Sequence, residues 1–251
     1  MAQKEPGYTP EERQLLWEKY EGDATAPGFG EDRARLAAGE PLAYVIGCQP
    51  FLGLKIFLDS KPLIPRPETE WWTERLLAAL PRDRTLTFLD LCAGSGAIGC
   101  AALSRLPKAE VYFGEIDPIH AATIRKNIRE NGLDANRAGI CIGDLFKPFD
   151  DLTFDIITAN PPYTTETRVL DTSVVNHEPH GALFAGEDGL ALIRRIAREL
   201  PHRLTQDGIA WIECDSAHAE RARELFTLES MHARVIPDQY GTPRVIAVSF
   251  R

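Results

Sequence analysis

Apolar strand-like segments alternate with amphipathic helical segments from about residue 85 to the end of the sequence. Strands are predicted at TLTFLDL, AEVYFGEI, AGICIGD, FDIITA and GIAWIEC, and two final strands at ARVIPD and RVIAVSF. This alternation predicts a parallel sheet with helices on both faces. Ligands bind such sheets at the carboxyl ends of the strands. The loops that follow the strands are therefore where we expect the functional residues.

The segments before this region are shorter. Residues 1–43 contain two short helical patterns, Pro10–Tyr20 with Thr9 as its N-cap and a second at about residues 31–38. Helices this short must dock on the rest of the chain. Residues 44–70 predict a β-hairpin at 44–60 and a proline-rich loop, with Thr69 as the cap of the next helix. Residues 71–251 are expected to form the main domain.

Composition excludes several classes of protein. No apolar run approaches the roughly 20 residues of a membrane-spanning helix, and the polar first residues predict no signal peptide. The formal charge of -9 argues against broad nucleic-acid binding, because an acidic surface repels phosphate. The five cysteines form no CxxC pair and there is no histidine cluster at zinc spacing. We therefore expect reduced thiols, no metal site and a cytoplasmic location.

The loop after the first strand of the alternating region, DLCAGSGAIG, is typical of a nucleotide-cofactor site. Gly94, Gly96 and Gly99 match G-x-G-x-x-G, and Glu115 follows about 20 residues later, where it suits a ribose. Asp90 lies just before the glycines. Its carboxylate would repel the pyrophosphate of NAD and attract the ammonium and sulfonium of S-adenosylmethionine (SAM). The loop therefore favours SAM, although Asp90 could instead brace the loop by accepting backbone N–H bonds.

Asp144 follows the third strand of this region, in GDLFKPFD. In a SAM site a carboxylate at this position can accept a hydrogen bond from the adenine amine. A helix cap or a turn residue fits the same pattern. The sequence leaves both interpretations open.

The fourth strand ends in Asn160, Pro161, Pro162 and Tyr163. The two prolines restrict the loop and remove backbone donors, which leaves the Asn160 side-chain oxygen and the Pro161 carbonyl as acceptors beside a flat ring. Two acceptors and a ring fit a planar NH2 group and can aim its nitrogen at an electrophile. The motif indicates an amino-methyltransferase, and it serves a glutamine amide as well as an adenine or guanine amine.

The chain resembles the HemK/PrmC family of protein-(glutamine-N5) methyltransferases, which modify the Gly-Gly-Gln loop of peptide chain release factors. The resemblance covers about residues 40–250 and rests on LIPRPETE, LDLCAGSGAIG, GDLFKPFDDLTFDIITANPPY, EPHGALFAGEDGL and DQYGTPRVI. It implies an α/β class I SAM-dependent methyltransferase fold, Rossmann-like with a mostly parallel seven-stranded sheet, plus a short N-terminal helical appendage and a β-hairpin. It also implies SAM as cofactor, S-adenosylhomocysteine as product and a release factor as partner. We expect a monomer.

The resemblance also implies roles for individual residues. The cofactor is expected to contact Asp90, Cys92, Gly94, Gly96, Glu115, Ile116, Asp144, Leu145 and Asn160. The catalytic residues are expected to be Asn160, Pro161 and Tyr163, and the substrate contacts Asn160, Pro161, Pro162, Tyr163, Glu178 and Pro179. The residues expected to shape the site are Arg66, Glu68 and Thr69, with a salt bridge from Arg66 to Glu68 or Glu70 and a helix cap as the alternative.

The chain departs from the family pattern at four positions and in one segment. Cys92 stands where a glycine is common, Glu115 where the family usually has aspartate, His177 where an aromatic residue is commoner and His218 where glutamine is frequent. The helical appendage is shorter than the bundle typical of the family. This difference bears on release-factor docking more than on the chemistry.

The alternative to glutamine methylation is methylation of an adenine or guanine amine in DNA or RNA. The charge of -9 and the lack of a separate recognition domain argue against it, whereas a basic cleft beside Tyr163 would favour it. A SAM-binding scaffold without catalysis is disfavoured by the intact glycine loop and NPPY motif. An NAD oxidoreductase is disfavoured by Asp90.

Overall fold

The structure, a computed structural model, describes residues 7–250. Residues 1–6, the start of the polar N-terminus that predicted no signal peptide, and residue 251 lie outside the described residues. Within the described range, no helix has both the length and the apolar character that crossing a bilayer requires.

A mostly parallel sheet forms the centre of the molecule. The strands within residues 7–250 are β1 (Cys48–Phe51), β2 (Leu54–Phe57), β3 (Thr87–Leu91), β4 (Glu110–Glu115), β5 (Ala138–Ile142), β6 (Phe154–Ala159), β7 (Leu204–Glu213), β8 (His232–Pro237) and β9 (Pro243–Ser249). β1 and β2 form a separate antiparallel hairpin, and the others form a seven-stranded sheet in the order β5-β4-β3-β6-β7-β9-β8. β9 runs antiparallel to both of its neighbours. The strand order reverses between β3 and β6, which is where such sheets bind ligands.

Helices cover both faces of this sheet. They are α1 (Pro10–Tyr20), α2 (Phe29–Ala37), α3 (Leu42–Ile46), α4 (Pro67–Ala79), α5 (Ala97–Arg105), α6 (His120–Glu130), α7 (Thr172–His177), α8 (His180–Leu183), α9 (Ala191–Glu199) and α10 (Ala219–Leu228). In β3, Phe88 packs into one core with Trp72 of α4, whereas the next residue, Leu89, packs into the other core with Phe226 of α10. Because alternate side chains enter opposite cores, the central strands are apolar on both faces along most of their length.

The N-terminal appendage, α1–α3, has a small core of its own. Thr9 caps α1 as predicted, since its hydroxyl accepts from the Glu12 N–H and the Glu12 carboxylate accepts from the Thr9 N–H. The buried residues that pack together apart from the two main cores are Leu15, Leu16, Phe29 and Val45. The neighbour of Val45, Tyr44, packs into a main core instead and donates its hydroxyl to the Pro62 carbonyl at 2.7 Å. α3 therefore joins the appendage to the domain.

Two local predictions are wrong. Residues 44–46 belong to α3, and the hairpin begins at Cys48, because burial of α3 between two cores overrides the β-propensity of its side chains. Thr69 does not cap α4, which begins at Pro67, since proline is well suited to the first helical position. α3 and α4 therefore extend across the segment boundaries expected after residues 43 and 70.

Candidate active site

The loop between β3 and α5 is shaped by left-handed backbone and close packing. Cys92, Gly94 and Gly96 have φ angles of +61°, +54° and +76°. A Cβ at Gly99 would lie 2.2 Å from the ring of Phe113, so only glycine fits there. Cys92 carries a Cβ in a conformation that costs roughly 1–2 kcal/mol. The departure from the family glycine at this position is therefore tolerated at a cost in backbone strain.

Asp90 lies at the carboxyl end of β3 and is buried. Its Oδ2 accepts a hydrogen bond from the Gly99 N–H at 2.9 Å, whereas Oδ1 has no partner among the described residues. Burial raises the pKa of Asp90 to about 8. The contact with Gly99 is the loop-bracing role left open by the sequence. Asp90 does not line the neighbouring cavity, so its contact with a cofactor ammonium stays a prediction.

A cavity of about 360 Å³ opens at the carboxyl ends of the strands. The predicted cofactor residues that line it are Cys92, Gly94, Glu115, Ile116, Asp144, Leu145 and Asn160, whereas Asp90 and Gly96 do not. Its wall contains the carboxylates of Glu115, Asp117 and Asp144, and no lysine or arginine from residues 7–250. This acid-walled cavity suits a cationic ligand and disfavours a phosphate.

The two predicted cofactor acids that line this cavity, Glu115 and Asp144, are held differently. Glu115 accepts hydrogen bonds from the backbone N–H of Gly94 at 2.7 Å and from the N–H two residues beyond itself at 2.9 Å. It therefore ties the end of β4 to the glycine loop. Asp144 pairs with Arg195 at 2.7 Å and with Lys147 at 3.0 Å. The hydrogen bond from Arg195 is the largest cause of a lowered Asp144 pKa, and its contact with an adenine amine stays a prediction.

A second cavity, of about 290 Å³, adjoins the first at Asn160. Asn160, Pro161 and Tyr163, the residues predicted to hold the methyl acceptor, line this second cavity, which we call the acceptor cavity. Pro162 and Pro179 line the acid-walled cavity instead. Asn160 lines both cavities. Its side-chain amide is therefore where a group bound in one cavity can meet a group bound in the other.

The arginines that line the acceptor cavity are all paired with carboxylates. Each of its three arginines bonds a buried carboxylate, in the pairs Arg66–Glu178, Arg168–Asp215 and Arg244–Asp238. The salt bridge of Arg66 is thus with Glu178 and not with Glu68 or Glu70. Glu178 itself lines neither cavity, and it also accepts from the Ile64 N–H at 3.1 Å, so it holds the LIPRPETE loop. The three pairs carry no net charge and do not form the basic cleft that would favour a nucleic acid.

The chain is similar in sequence to a family of known proteins. Residues 69–178 match the family model described as "Methyltransferase small domain". The release factor glutamine methyltransferase of Chlamydia trachomatis serovar L2 is 35% identical over 202 residues, which are 79% of this chain and 68% of that protein. The release factor glutamine methyltransferase of Streptococcus pneumoniae R6 is 34% identical over 218 residues, which are 85% of this chain and 76% of that protein.

The chain belongs to the release factor glutamine methyltransferase family. The family indicated by the sequence motifs is therefore confirmed.

Solved structures of other methyltransferases share the fold of this family member. A methyltransferase from Pyrococcus furiosus has a TM-score of 0.58 at 16% identity, covering 87% of this chain and 97% of that one. The ribosomal protein L11 methylase of Lactobacillus delbrueckii subsp. bulgaricus has a TM-score of 0.55 at 17% identity, covering 76% of this chain and 82% of that one. At such identities the likeness shows the fold alone. The predicted class I methyltransferase fold is confirmed.

Sequence reasoning missed a buried hydrogen-bond network behind the NPPY loop. Glu213, the last residue of β7, accepts from the Tyr163 hydroxyl at 2.9 Å, from the Thr69 hydroxyl at 2.7 Å and from the Trp72 indole N–H at 2.7 Å. Burial raises the pKa of Glu213 and the pKa of Tyr163. The signal was present, because Glu213 lies at the carboxyl end of an apolar strand, where such sheets bind their ligands.

Proposed function

We propose that this protein transfers a methyl group from SAM to the side-chain amide nitrogen of the glutamine in the Gly-Gly-Gln loop of a peptide chain release factor. The observation that carries the proposal is the position of Asn160, which lines the acid-walled cavity and the acceptor cavity alike. A residue at that position can hold an acceptor nitrogen next to a methyl donor. The substrate class follows from the relatives, which are named release factor glutamine methyltransferases.

The acid-walled cavity fits SAM better than it fits a dinucleotide. Asp144 is paired with Arg195 and Lys147, but Glu115 and Asp117 form no ion pair within residues 7–250, so their carboxylates favour an ammonium and a sulfonium and disfavour a pyrophosphate. Glu115 offers acceptors for ribose hydroxyls, and Ile116 and Leu145 offer apolar surface for an adenine ring. Bound SAM supplies an electrophilic methyl group, and the protein's part is to aim the nucleophile.

The NPPY loop orients the amide nitrogen of the substrate. The Asn160 Oδ1 and the Pro161 carbonyl are the acceptors for the two hydrogens of the glutamine amide, and the Tyr163 ring covers the amide plane. Asn160 donates its Nδ2 to Thr69 at 3.3 Å, which leaves Oδ1 for the substrate. Holding a weak nucleophile in the reactive orientation removes several kcal/mol of entropic barrier. The amide nitrogen gains the methyl carbon as the sulfonium–methyl bond breaks, which leaves S-adenosylhomocysteine, and the nitrogen loses one hydrogen as a proton to water.

Methylation of a nucleic-acid base has less support. Each arginine of the acceptor cavity is already paired with a buried carboxylate. The chain carries a formal charge of -9, which opposes approach of a phosphate backbone. With a release factor as its partner, the protein would act in the cytoplasm, and we expect it to act as a monomer.

The test is methyl transfer from labelled SAM to a purified release factor. A Gln→Ala variant of the Gly-Gly-Gln loop and an adenine-containing oligonucleotide serve as alternative acceptors, and the Asn160→Ala enzyme serves as the matched control. We expect label on the wild-type factor alone. Label on the oligonucleotide, or no label on the factor while SAM is bound, would contradict the proposal.

A further inference from the structure

Glu213 is a buried carboxylate that lines neither cavity but accepts a hydrogen bond from Tyr163, which lines the acceptor cavity. Its Oε2 accepts from the Thr69 hydroxyl and the Trp72 indole, and its Oε1 accepts from the Tyr163 hydroxyl. All three donors found among the described residues are neutral. The carboxylate therefore accepts three hydrogen bonds from neutral groups and forms no ion pair within residues 7–250.

The direction of these bonds decides how Asn160 is turned. The Trp72 indole can only donate, so it keeps Oε2 of Glu213 an acceptor. The Thr69 hydroxyl has one hydrogen, which it donates to Glu213 at 2.7 Å. Its oxygen is then left to accept, and it accepts from the Asn160 Nδ2 at 3.3 Å. An Asn160 amide turned by half a rotation would place its own oxygen against that acceptor, which is unfavourable.

We propose that Glu213 is a positioning residue that acts through Thr69 to keep the Asn160 side-chain oxygen turned toward the substrate amide. This inference rests on the proposed function, in which that oxygen accepts a hydrogen of the glutamine amide. The same carboxylate fixes the Tyr163 hydroxyl at 2.9 Å. One buried group therefore sets the two polar side chains of the NPPY loop that line the acceptor cavity, Asn160 and Tyr163.

A carboxylate that only joins α4 to β7 would behave differently. Thr69 and Trp72 both lie on α4, so a purely structural Glu213 would change the stability of the protein and leave kcat of the folded enzyme unchanged. If the hydrogen bonds from Glu213 through Thr69 orient Asn160, an arrangement we call the relay, breaking them changes kcat while the affinity for SAM stays the same. The two roles are separated by substitutions that remove the relay without removing the carboxylate.

The experiment uses three substitutions on α4 in the full chain. Thr69→Val removes the hydroxyl at nearly constant volume, and Thr69→Ser keeps it. Thr73→Val is the matched control, because Thr73 is buried one turn further along the helix and its hydroxyl has no partner among residues 7–250. We expect Thr69→Val to lower kcat for the release factor about 10- to 100-fold, as small misplacements do, with KM for SAM close to that of Thr73→Val. Its Tm should be lower than that of Thr73→Val, because the buried Glu213 loses a donor whereas Thr73 has none to lose. Thr69→Ser should restore most of kcat.

A second readout does not depend on activity. The side-chain amide protons of Asn160 can be assigned by NMR from the signals lost in Asn160→Ala, and their exchange with water should be faster in Thr69→Val than in Thr73→Val. Wild-type kcat and wild-type exchange in Thr69→Val would overturn the relay and leave the proposed function standing. An inactive wild-type enzyme would overturn the proposed function, and the exchange data would then decide alone whether Thr69 orients Asn160.

Discussion

The acid-walled cavity and the acceptor cavity meet at Asn160, but they are built in opposite ways. The acid-walled cavity is shaped by local backbone, through the left-handed residues after β3 and the N–H groups that Glu115 gathers. The acceptor cavity is held by side chains far apart in the sequence, since Arg66 and Glu178 are 112 residues apart and Thr69 and Glu213 are 144 apart. A single local change should therefore alter the first cavity, whereas the second depends on keeping distant pairs intact.

Leu63, Asn160 and Ala182 line both cavities, and removing the polar side chain among them, that of Asn160, should have the largest effect on catalysis. We expect Asn160→Ala to lower kcat by about 100-fold or more, the usual effect of losing one preorganised polar contact at a reacting group. The Kd for SAM should change little, because many other residues line the acid-walled cavity. Steady-state kinetics and calorimetric titration measure the two quantities. A Kd that rises as much as kcat falls would assign Asn160 to the cofactor alone.

The long-range pair Arg66–Glu178 should matter for stability. Glu178→Ala leaves the Ile64 N–H and the Arg66 guanidinium without their acceptor, and we expect the free energy of unfolding in urea to fall by about 2 kcal/mol. The KM for the release factor should rise as well, because Arg66 lines the acceptor cavity. The exposed Glu74 on α4 provides the control, and Glu74→Ala should change neither quantity. Equal unfolding free energies for both variants would remove the distinction between the cavities.

Cofactor binding in the acid-walled cavity should be sensitive to substitution of Glu115. Glu115→Ala removes the acceptor for two backbone N–H groups and the candidate ribose contact, so we expect the affinity for SAM to fall about 10-fold, as for a lost charged hydrogen bond. The KM for the release factor, measured at saturating SAM, should stay the same. Glu115→Gln keeps one acceptor oxygen and should give an intermediate affinity. Unchanged SAM binding in the alanine variant would exclude the ribose role.

The last expected effect concerns the pH dependence of stability and not catalysis. Burial raises the pKa of Asp90 from 3.8 to about 8. Between these values the folded protein holds a proton that the unfolded chain releases, so Asp90 makes the free energy of unfolding fall as pH rises through this window. Asp90→Asn removes that contribution, and its unfolding free energy should vary less between about pH 5 and about pH 8 than that of the wild type. Parallel pH profiles for the two proteins would contradict a buried, protonated Asp90.

The contrast between local and long-range contacts also explains which site residues the sequence could predict. The glycine loop and the acids at Glu115 and Asp144 could be found because each directly follows an apolar strand. The pairing of Asp144 with Arg195, 51 residues away, could not be found, because no local pattern specifies such a contact. For the same reason the bond between Glu178 and Arg66, 112 residues apart, could not be found; the substrate contact that the resemblance implies for Glu178 stays a prediction.

The secondary structure follows a similar rule. The strands and helices of the main sheet were predictable because their apolar patterns are repeated and mutually consistent. The segment at residues 44–46 was not, since its β-type side chains are helical only because they are buried between two cores.

The separate small core of the appendage has a consequence for how the protein opens. Leu15, Leu16 and Phe29 pack apart from the main cores, so exposing them breaks few contacts of the sheet. Regions with their own small core open locally before the whole protein unfolds, and their amide hydrogens exchange first. α1 and α2 should therefore exchange with deuterium earlier than β3 and β6. The appendage could then lose and regain its fold many times within the lifetime of one folded catalytic domain.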